Sequence, residues 1–395
     1  MRILQINSVC GYGSTGKICT DIYDLLIEQG HDCCIAYGRN SMQQGYKTIK
    51  IGNKFDTYFH VFLTRCLDRH GFGSKRATLK FLKKINTYNP DIIHLHNIHG
   101  YYLNIELLFD YLKNHSHIKV VWTLHDCWSF TGHCSHFIYE NCYRWQKECI
   151  NCPQKKEYPS CYLFGNSQRN FWKKKQAFTS IKNLIIVTPS NWLADLCKQS
   201  FLSDFPIKVI NNGIDTSLFK KTHTNFKNKY KIKEEKIILG LASTFDHKKG
   251  LDTFYRLRKD LNSNIGIVLV GLTDEQIRNL PKGIYGIIRT ENRQELVEAY
   301  NAADIFVNPT LEDNFPTTNL EAIACHTPVI TNNVGGCSET ITKNTGVAVN
   351  SYEEMLDTIK LVLNKGISFD FGVENKNIDK YYHFRKYLEL YEELL

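Results

Sequence analysis

No apolar run in the sequence approaches the roughly 18 residues that a helix needs to cross a bilayer, so any membrane contact is expected to be peripheral. The first residues lack the charged segment, apolar stretch and small residues of a secretory signal, and we therefore expect a cytoplasmic protein. Internal repeats and low-complexity tracts are also absent. The 43% hydrophobic and 23% charged residues are ordinary for a globular protein and exclude collagen-like, coiled-coil and wholly disordered chains.

Positive charge is unevenly distributed along the 395 residues, whose formal net charge is +9. Residues 1–218 contain 26 basic and 16 acidic side chains, whereas residues 219–395 contain 23 basic and 24 acidic ones. The whole excess therefore lies in the first half. Such an asymmetry indicates that this half faces a polyanion or an anionic membrane surface while the other half does something different.

Short apolar runs alternate with helix-patterned stretches, and at about 150 residues per domain the chain is long enough for two or three domains. In the first half the runs are residues 3–6, 33–37, 92–95, 120–124 and 184–187. In the second half, runs at 237–241, 265–270, 305–307 and 328–331 alternate with helical patterns at 251–259, 293–300, 319–325 and 352–364. This alternation predicts two α/β domains with parallel sheets. The lysine-rich stretch up to residue 236 is interpreted as their connection.

A glycine-rich segment between the first strand and the first helix is a candidate ligand site. Gly11, Gly13 and Gly16 fit G-x-G-x-x-G, in which glycines let the backbone approach a ligand and the helix N-terminus offers N–H groups to an anion. The next strand brings no acidic residue for a ribose, which counts against NAD. Ile18 stands where a Walker loop needs a hydroxyl, which counts against an ATPase. A purely structural turn is the alternative.

Four spaced motifs carry a resemblance to a known family. Residues 304–339 read DIFVNPTLEDNFPTTNLEAIACHTPVITNNVGGCSE, residues 242–250 read ASTFDHKKG, residues 211–215 read NNGID, and residues 124–126 read LHD. Taken in their order along the chain, these motifs resemble those of the retaining glycosyltransferases of family 4, which have the GT-B fold. The resemblance extends over nearly the whole chain. PDIIHLHNIHG at residues 90–100 is similar to the subset that builds bacterial surface polysaccharides.

The resemblance implies two Rossmann-like, doubly wound α/β domains that face each other across a cleft. Residues 1–218 would form the acceptor-side domain, with a cysteine-rich insertion at about 127–161. Residues 219–378 would form the nucleotide-sugar donor domain, and residues 379–395 a helix that packs back on the first domain.

The implied activity is transfer of a hexose from a UDP- or GDP-linked sugar to a lipid-linked or oligosaccharide acceptor, with retention and with no cofactor required for catalysis. An epimerase or phosphorylase on the same fold is one alternative. A non-catalytic protein that binds a sugar nucleotide or a nucleic acid is the other.

The first set of residues that the resemblance implies would bind the donor diphosphate. Lys249 matches the phosphate-binding lysine of the family, whereas Thr244 stands where the family usually has an arginine. One positive charge is therefore missing. Either Lys248 or Arg289 is expected to compensate, or the site relies more on Gly335 and Gly336. Basic side chains have to neutralise the leaving diphosphate when no metal is bound.

A pair of acidic residues and a pair of glycines complete the expected donor site. Asp313 takes the position of the first Glu of the family's paired motif, near the sugar, with Glu312 beside it. Glu321 matches the second Glu, which binds the ribose hydroxyls. Gly335 and Gly336 precede a predicted helix and would offer N–H groups to the phosphates. As an alternative, Asp313 merely caps the helix that follows it.

His125 is the catalytic candidate of the first domain because it follows the run 120–124, at the carboxyl end of a strand where ligands gather. The resemblance implies that His125 touches the transferred sugar or its phosphate, and that the leaving phosphate rather than a protein base deprotonates the acceptor. His94, His96 and His99 are interpreted as packing and cleft-lining groups rather than metal ligands, since no carboxylate pattern accompanies them.

Six of the 14 cysteines fall between Cys127 and Cys161. Four of them, including a C-x-x-C pair, suggest a structural zinc site and are Cys134, Cys142, Cys149 and Cys152. Free buried thiols are the alternative, because a cytoplasmic location disfavours disulfides. The insertion is also rich in aromatic residues and could shape the acceptor pocket.

The segment from Lys54 to Lys84 combines eight basic residues with only two acidic ones. The basic residues are Lys54, Arg65, Arg69, Lys75, Arg76, Lys80, Lys83 and Lys84, and the interleaved aromatic ones are Phe55, Tyr58, Phe59, Phe62 and Phe72. This combination is typical of peripheral attachment to an anionic membrane. A solvated helix face is the alternative, and nucleic acid is not expected as a partner because no recognition-fold motif appears.

Overall fold

The computed structural model describes residues 1–40, 44–372 and 377–395. The chain divides into two compact units, one comprising Met1–Asn211 with Phe384–Leu395 and the other comprising Asn212–His383. Residues 212–218 thus lie in the second unit. Among the described residues, no helix is both long and apolar enough to span a membrane.

The first unit is built on a seven-stranded parallel sheet with the order β3-β2-β1-β4-β5-β6-β7. Its strands are β1 (Arg2–Asn7), β2 (Asp32–Tyr37), β3 (Thr48–Lys50), β4 (Ile92–Leu95), β5 (Lys119–Thr123), β6 (Leu184–Thr188) and β7 (Ile207–Val209). Its helices are α1 (Gly13–Glu28), α2 (Lys54–Leu67), α3 (Lys75–Tyr88), α4 (Ile105–Asn114), α5 (Ser167–Phe178) and α6 (Asn191–Lys198). The central strands are almost continuous apolar runs because helices cover both faces of the sheet.

The second unit has a six-stranded parallel sheet with the order β10-β9-β8-β11-β12-β13. Its strands are β8 (Lys236–Leu241), β9 (Ile265–Val270), β10 (Ile284–Ile287), β11 (Ile305–Asn308), β12 (Val329–Asn332) and β13 (Gly346–Val349). Its helices are α7 (Phe226–Lys229), α8 (Leu251–Asp260), α9 (Asp274–Arg278), α10 (Arg293–Ala302), α11 (Thr317–Ala324) and α12 (Tyr352–Leu363).

The last helix, α13 (Lys380–Leu394), contributes its apolar side chains to the core of the first unit. Phe384, Tyr387 and Tyr391 are buried there beside α1 and the sheet. The Tyr391 hydroxyl hydrogen-bonds His94 Nδ1 at 2.6 Å, and the Tyr387 hydroxyl lies 3.0 Å from Thr123 Oγ1. Both phenol groups are therefore satisfied inside the core, as buried polar groups must be.

Candidate functional site

Two loops of the second unit bring together the basic and acidic residues of the predicted donor site. β8 and β11 are parallel neighbours, so the loops that follow them leave the sheet side by side. Lys249 Nζ lies 2.7 Å from Asp313 Oδ2, and Lys248 Nζ lies 2.8 Å from Glu312 Oε1. The Leu311 N–H donates to the Lys248 carbonyl at 2.8 Å and fixes the two loops against each other.

Asp313 keeps the half-buried Lys249 ammonium charged. Burial by itself lowers the pKa of Lys249, but the Asp313 carboxylate outweighs burial, and the net pKa is raised. Asp246 accepts a 2.8 Å bond from the Lys249 N–H and so shapes the loop before α8. The result is a fixed positive charge at the carboxyl end of the sheet.

Glycines make the close packing around this pair possible. Gly250 has φ +76°, and a Cβ there would lie 2.5 Å from the Pro309 carbonyl oxygen. Gly335 has φ +57°, and a Cβ there would lie 1.9 Å from the Asp313 carbonyl oxygen. The Gly336 N–H donates to that same oxygen at 3.3 Å, so it is engaged within the protein. The segment after it, Cys337–Thr340, is a single turn of 3-10 helix.

Asp313 does not cap the helix that follows it. The N-cap of α11 is Pro316, which makes no side-chain capping bond. The Asp313 carboxylate instead accepts from Lys249 and, at 2.9 Å, from the Asn314 N–H. The alternative of a capping role for Asp313 is therefore wrong.

Glu321 lies on α11 and is held by a tyrosine from α10. The Tyr300 hydroxyl donates to Glu321 Oε2 at 2.9 Å. Burial raises the pKa of Glu321 to about 7, although the Tyr300 bond acts in the opposite direction. In the loop after β11, Glu312 is buried, and within the described residues its Oε2 has no hydrogen-bond partner. A buried carboxylate oxygen without a partner carries a desolvation cost, which a hydrogen bond from a ligand would remove.

Two predicted donor residues are not brought into this cluster by any contact among the described residues. Thr244 is exposed, and its hydroxyl bonds the neighbouring Ser243 carbonyl at 2.8 Å. Arg289 is exposed after β10, which β9 separates from β8. Lys248, next to Lys249 in the chain, is close enough to supply the site with a second positive charge, but its ammonium group is paired with Glu312.

In the first unit, histidines converge at the carboxyl ends of β4 and β5. His125 Nε2 hydrogen-bonds His96 Nδ1 at 3.1 Å, and His96 Nε2 lies 3.1 Å from Gln5 Oε1. His99 Nε2 pairs with Asp126 Oδ2 at 2.9 Å. Burial lowers the pKa of His125 to about 4, so its imidazole is neutral at physiological pH. Burial would raise the pKa of Asp126, but His99 holds it at about 2.

The glycine-rich loop lies at the same edge of the first sheet. α1 begins at Gly13, so Gly16 lies in its first turn. Gly13 has φ +62° and open space where a Cβ would project. A Cβ on Gly16 would lie 3.0 Å from Val9 Cγ2, so close packing against Val9 is enough to explain a glycine at this position. Only Gly13 of the two thus faces space that a ligand could use.

The four cysteines of the predicted zinc site are free thiols in the insertion. The thiols of Cys134 and Cys152 hydrogen-bond each other. This bond and burial both raise the pKa of Cys134. The same bond lowers the pKa of Cys152 to about 7. Cys149 Sγ accepts from the Gly132 N–H at 3.2 Å, and Cys142 is half-buried. In the described part of the chain, no three His, Cys, Asp or Glu side chains are grouped so that they could hold a metal ion. Zinc binding stays a prediction.

Sequence reasoning missed three partners of these residues. Tyr300, Gln5 and the pairing of His99 with Asp126 come from other elements, 21 to 91 residues away. No local motif marks them. The only available signal was the position of His96, His99 and Asp126 directly after strands that were predicted to be parallel.

Two family profiles match consecutive parts of the chain. "Glycosyltransferase Family 4" matches residues 16–218, and "Glycosyl transferases group 1" matches residues 222–380. Residues 16–218 are slightly more than half of the 395-residue chain.

Two curated relatives are also named as glycosyltransferases. The chain is 26% identical over 388 residues to the putative colanic acid biosynthesis glycosyl transferase WcaC of Escherichia coli K12, covering 91% of this chain and 90% of that protein. It is 28% identical over 246 residues to the N,N'-diacetylbacillosaminyl-diphospho-undecaprenol alpha-1,3-N-acetylgalactosaminyltransferase of Campylobacter jejuni, covering 56% and 63% of the two chains.

A solved structure shares the fold. Alr3699/HepE of Anabaena, in complex with UDP, matches with a TM-score of 0.69 at 14% identity, over 100% of both chains. The predicted fold, GT-B with two Rossmann-like α/β domains, is confirmed by this likeness together with the two parallel sheets. From the profile that matches residues 16–218, the chain belongs to glycosyltransferase family 4.

Proposed function

We propose that the protein is a retaining hexosyltransferase of bacterial surface-polysaccharide biosynthesis, which moves a hexose from a UDP- or GDP-linked sugar to a lipid-linked or oligosaccharide acceptor. The name of the Escherichia coli relative specifies colanic acid biosynthesis, and that of the Campylobacter relative a diphospho-undecaprenol acceptor. Alr3699/HepE was solved with UDP. The observation that carries the donor half of the proposal is the Lys249–Asp313 pair, packed on Gly335.

Lys249 would neutralise the charge that develops on the leaving diphosphate. An ammonium group has three donors, so Lys249 can keep its bond to Asp313 while donating to a phosphate oxygen. Lys248, paired with Glu312, is the second cation of the site and would offset the missing arginine at Thr244. With these charges in place, the proposed transfer needs no metal ion.

Two carboxylates would orient the rest of the donor. Glu321 keeps one oxygen on Tyr300, and we expect the carboxylate to accept from the ribose hydroxyls. The unpartnered Oε2 of Glu312 would accept from a hydroxyl of the transferred sugar, next to Asp313. Each such bond to a charged group contributes about 1.5–3 kcal/mol.

The first unit would bind the acceptor at the cytoplasmic face of an anionic membrane. The protein would attach to this membrane peripherally through the basic and aromatic segment from Lys54 to Lys84. His125 is the residue of this unit that we expect to contact the sugar or its phosphate. Its imidazole is neutral near pH 7, because burial lowers its pKa to about 4. It would therefore act as a hydrogen-bonding group, and the leaving phosphate would take the acceptor proton.

Hydrolysis of a panel of UDP- and GDP-sugars, followed by NMR before mutarotation, tests the proposed function. We expect nucleotide release from one donor class, a sugar with the anomeric configuration of the donor, and no loss of rate in EDTA. An inverted product would contradict retention, and dependence on a divalent cation would contradict metal independence. A new nucleotide-sugar without free nucleotide would favour an epimerase, and absence of any turnover would favour a binding protein.

A further inference from the structure

A groove of about 970 Å³ runs between α2 and α3, outside the site described above. One wall is the α2 face that carries Phe55, Phe59 and Leu63, and the floor includes Phe72 and Phe81, which are buried. This volume is in the range of ligand pockets, about 300–1,000 Å³. The groove is concave and apolar at its base, unlike a flat basic surface.

The α2 wall exposes large aromatic side chains to solvent. Phe55 is 76% exposed and Phe59 is 51% exposed, and their rings stack at 6.5 Å with planes 5° apart. Both lie on one helix face because they are four residues apart. Asn53 and Asp56 form a capping box that stabilises the start of this helix. Contiguous exposed aromatic surface of this kind marks an interaction site.

The α3 wall is a row of cations. Arg76, Lys80 and Lys84 line the groove at intervals of four residues, so they project from one face of the helix. Within the described residues, none of the three forms an ion pair, and neighbouring like charges repel one another. In total six basic residues line the groove, against one acidic residue, Asp56, which is used by the capping box.

We propose that this groove binds one molecule of a phosphate-bearing lipid, with the hydrocarbon chain on the aromatic wall and floor and the phosphate on the Arg76–Lys80–Lys84 row. The charge complementarity argues for an anionic head, and the apolar base argues for a hydrocarbon tail. The inference rests on the proposed function, since the lipid would be the anchor of a lipid-linked acceptor. It goes beyond peripheral membrane attachment because it assigns a discrete site for a single lipid.

Binding of farnesyl diphosphate to the full chain, below its micelle concentration and measured by calorimetry, tests this inference. We expect saturable binding of one molecule, with farnesol and inorganic diphosphate each binding at least about tenfold more weakly. The variants Lys80→Glu/Lys84→Glu and Phe55→Ser/Phe59→Ser should each weaken binding by about tenfold or more. All four side chains are exposed, so these changes spare the core.

The chain provides matched controls on the same helices. Lys83 and Phe62 are exposed on α3 and α2 but do not line the groove. Lys83→Glu and Phe62→Ser should change farnesyl diphosphate affinity less than about twofold, although Lys83→Glu should still weaken binding to vesicles of anionic lipid by reducing surface charge.

Three results would overturn the inference. The first is binding to anionic vesicles without binding to monomeric farnesyl diphosphate, which would leave only a membrane surface. The second is an equal loss in the Lys83→Glu control. The third is tighter binding of single-stranded oligothymidylate, which would identify a nucleic-acid surface. UDP and GDP binding, measured on the same variants, should stay unchanged, so failure of the groove is distinguishable from failure of the proposed function.

Discussion

Individual side chains of the candidate donor site in the second unit are held in opposite charge situations. Lys249 stays protonated because the Asp313 carboxylate, 2.7 Å away, outweighs the effect of burial on its pKa. Glu321 is in the opposite situation, since burial raises its pKa to about 7 and no cation lies within ion-pair distance among the described residues. Lys249 is therefore a fixed cation, whereas Glu321 changes its charge near neutral pH.

The raised pKa of Glu321 predicts a pH-dependent effect of Glu321→Gln on stability. A carboxyl group whose pKa rises from 4.5 to about 7 on folding contributes stability that is full below 4.5 and is lost as the pH rises through 7. Glutamine does not ionise, so the variant does not lose stability as the pH rises, and its side-chain oxygen still accepts the hydrogen bond from Tyr300. Relative to wild type, the variant should therefore gain on the order of 1 kcal/mol per pH unit between these values, measured by thermal unfolding at pH 5 and pH 8.

Glu275→Gln is the matched control for this experiment. Glu275 is an exposed carboxylate on α9, in the same unit, and its replacement should change stability by less than about 0.5 kcal/mol at either pH. A Glu321→Gln variant that becomes less stable relative to wild type as the pH rises would contradict the assigned charge state.

At this scale the sequence motifs predicted which residues belong to the candidate donor site but not the bonds between them. Lys249 and Asp313 were predicted from separate motifs, and their direct pairing follows from the adjacency of β8 and β11 in the sheet. Tyr300, which holds Glu321, lies on another helix and had no local signal. The open surroundings of Gly13 and the packed surroundings of Gly16 are also set by tertiary contacts.

The elements that hold the site are three loops, after β8, β11 and β12, which meet around Asp313. Gly335→Ala should strongly destabilise the second unit, because a Cβ would lie 1.9 Å from the Asp313 carbonyl and φ is +57°. We expect a cost of about 1–2 kcal/mol from the left-handed backbone and about 1–3 kcal/mol more from the steric conflict. Denaturant unfolding of the full chain measures this loss.

Gly283→Ala separates the two costs. Gly283 has a similar left-handed backbone, with φ +87°, but its Cβ would meet only the Arg258 side chain, at 3.2 Å. Gly283→Ala should therefore show the backbone cost alone. Equal losses in the two variants would mean that Gly335 is not packed against Asp313 as described.

The strands that the sequence failed to predict are the edge strands of both sheets. β3, β7, β10 and β13 are three or four residues long, and each pairs with a neighbour on one side only. Their burial is partial, as in β7, where all three residues are half-buried. A short, half-buried strand needs no long apolar run, so its pattern is weak. The inner strands, buried on both faces, were all predicted within two residues.

At the scale of the whole molecule, the two halves of the chain differ in net charge and also in how their basic side chains are arranged. The second half, which is close to neutral, contains the candidate donor site, in which Lys248 and Lys249 are each paired with a carboxylate. The first half, which contains the whole excess, has the six basic residues that line the α2–α3 groove. The sequence predicted which half was basic, but the concave shape of the basic region depends on the packing of two helices.

UDP and GDP affinity of Lys249→Ala, measured by calorimetry, tests the central claim most directly. Loss of a charge-assisted bond to the diphosphate should weaken the binding of the preferred nucleotide by about 10- to 100-fold. Lys259→Ala, at an exposed lysine on α8, is the matched control and should bind as wild type does. A folded Lys249→Ala protein that binds both nucleotides with unchanged affinity would contradict the assignment of the donor site.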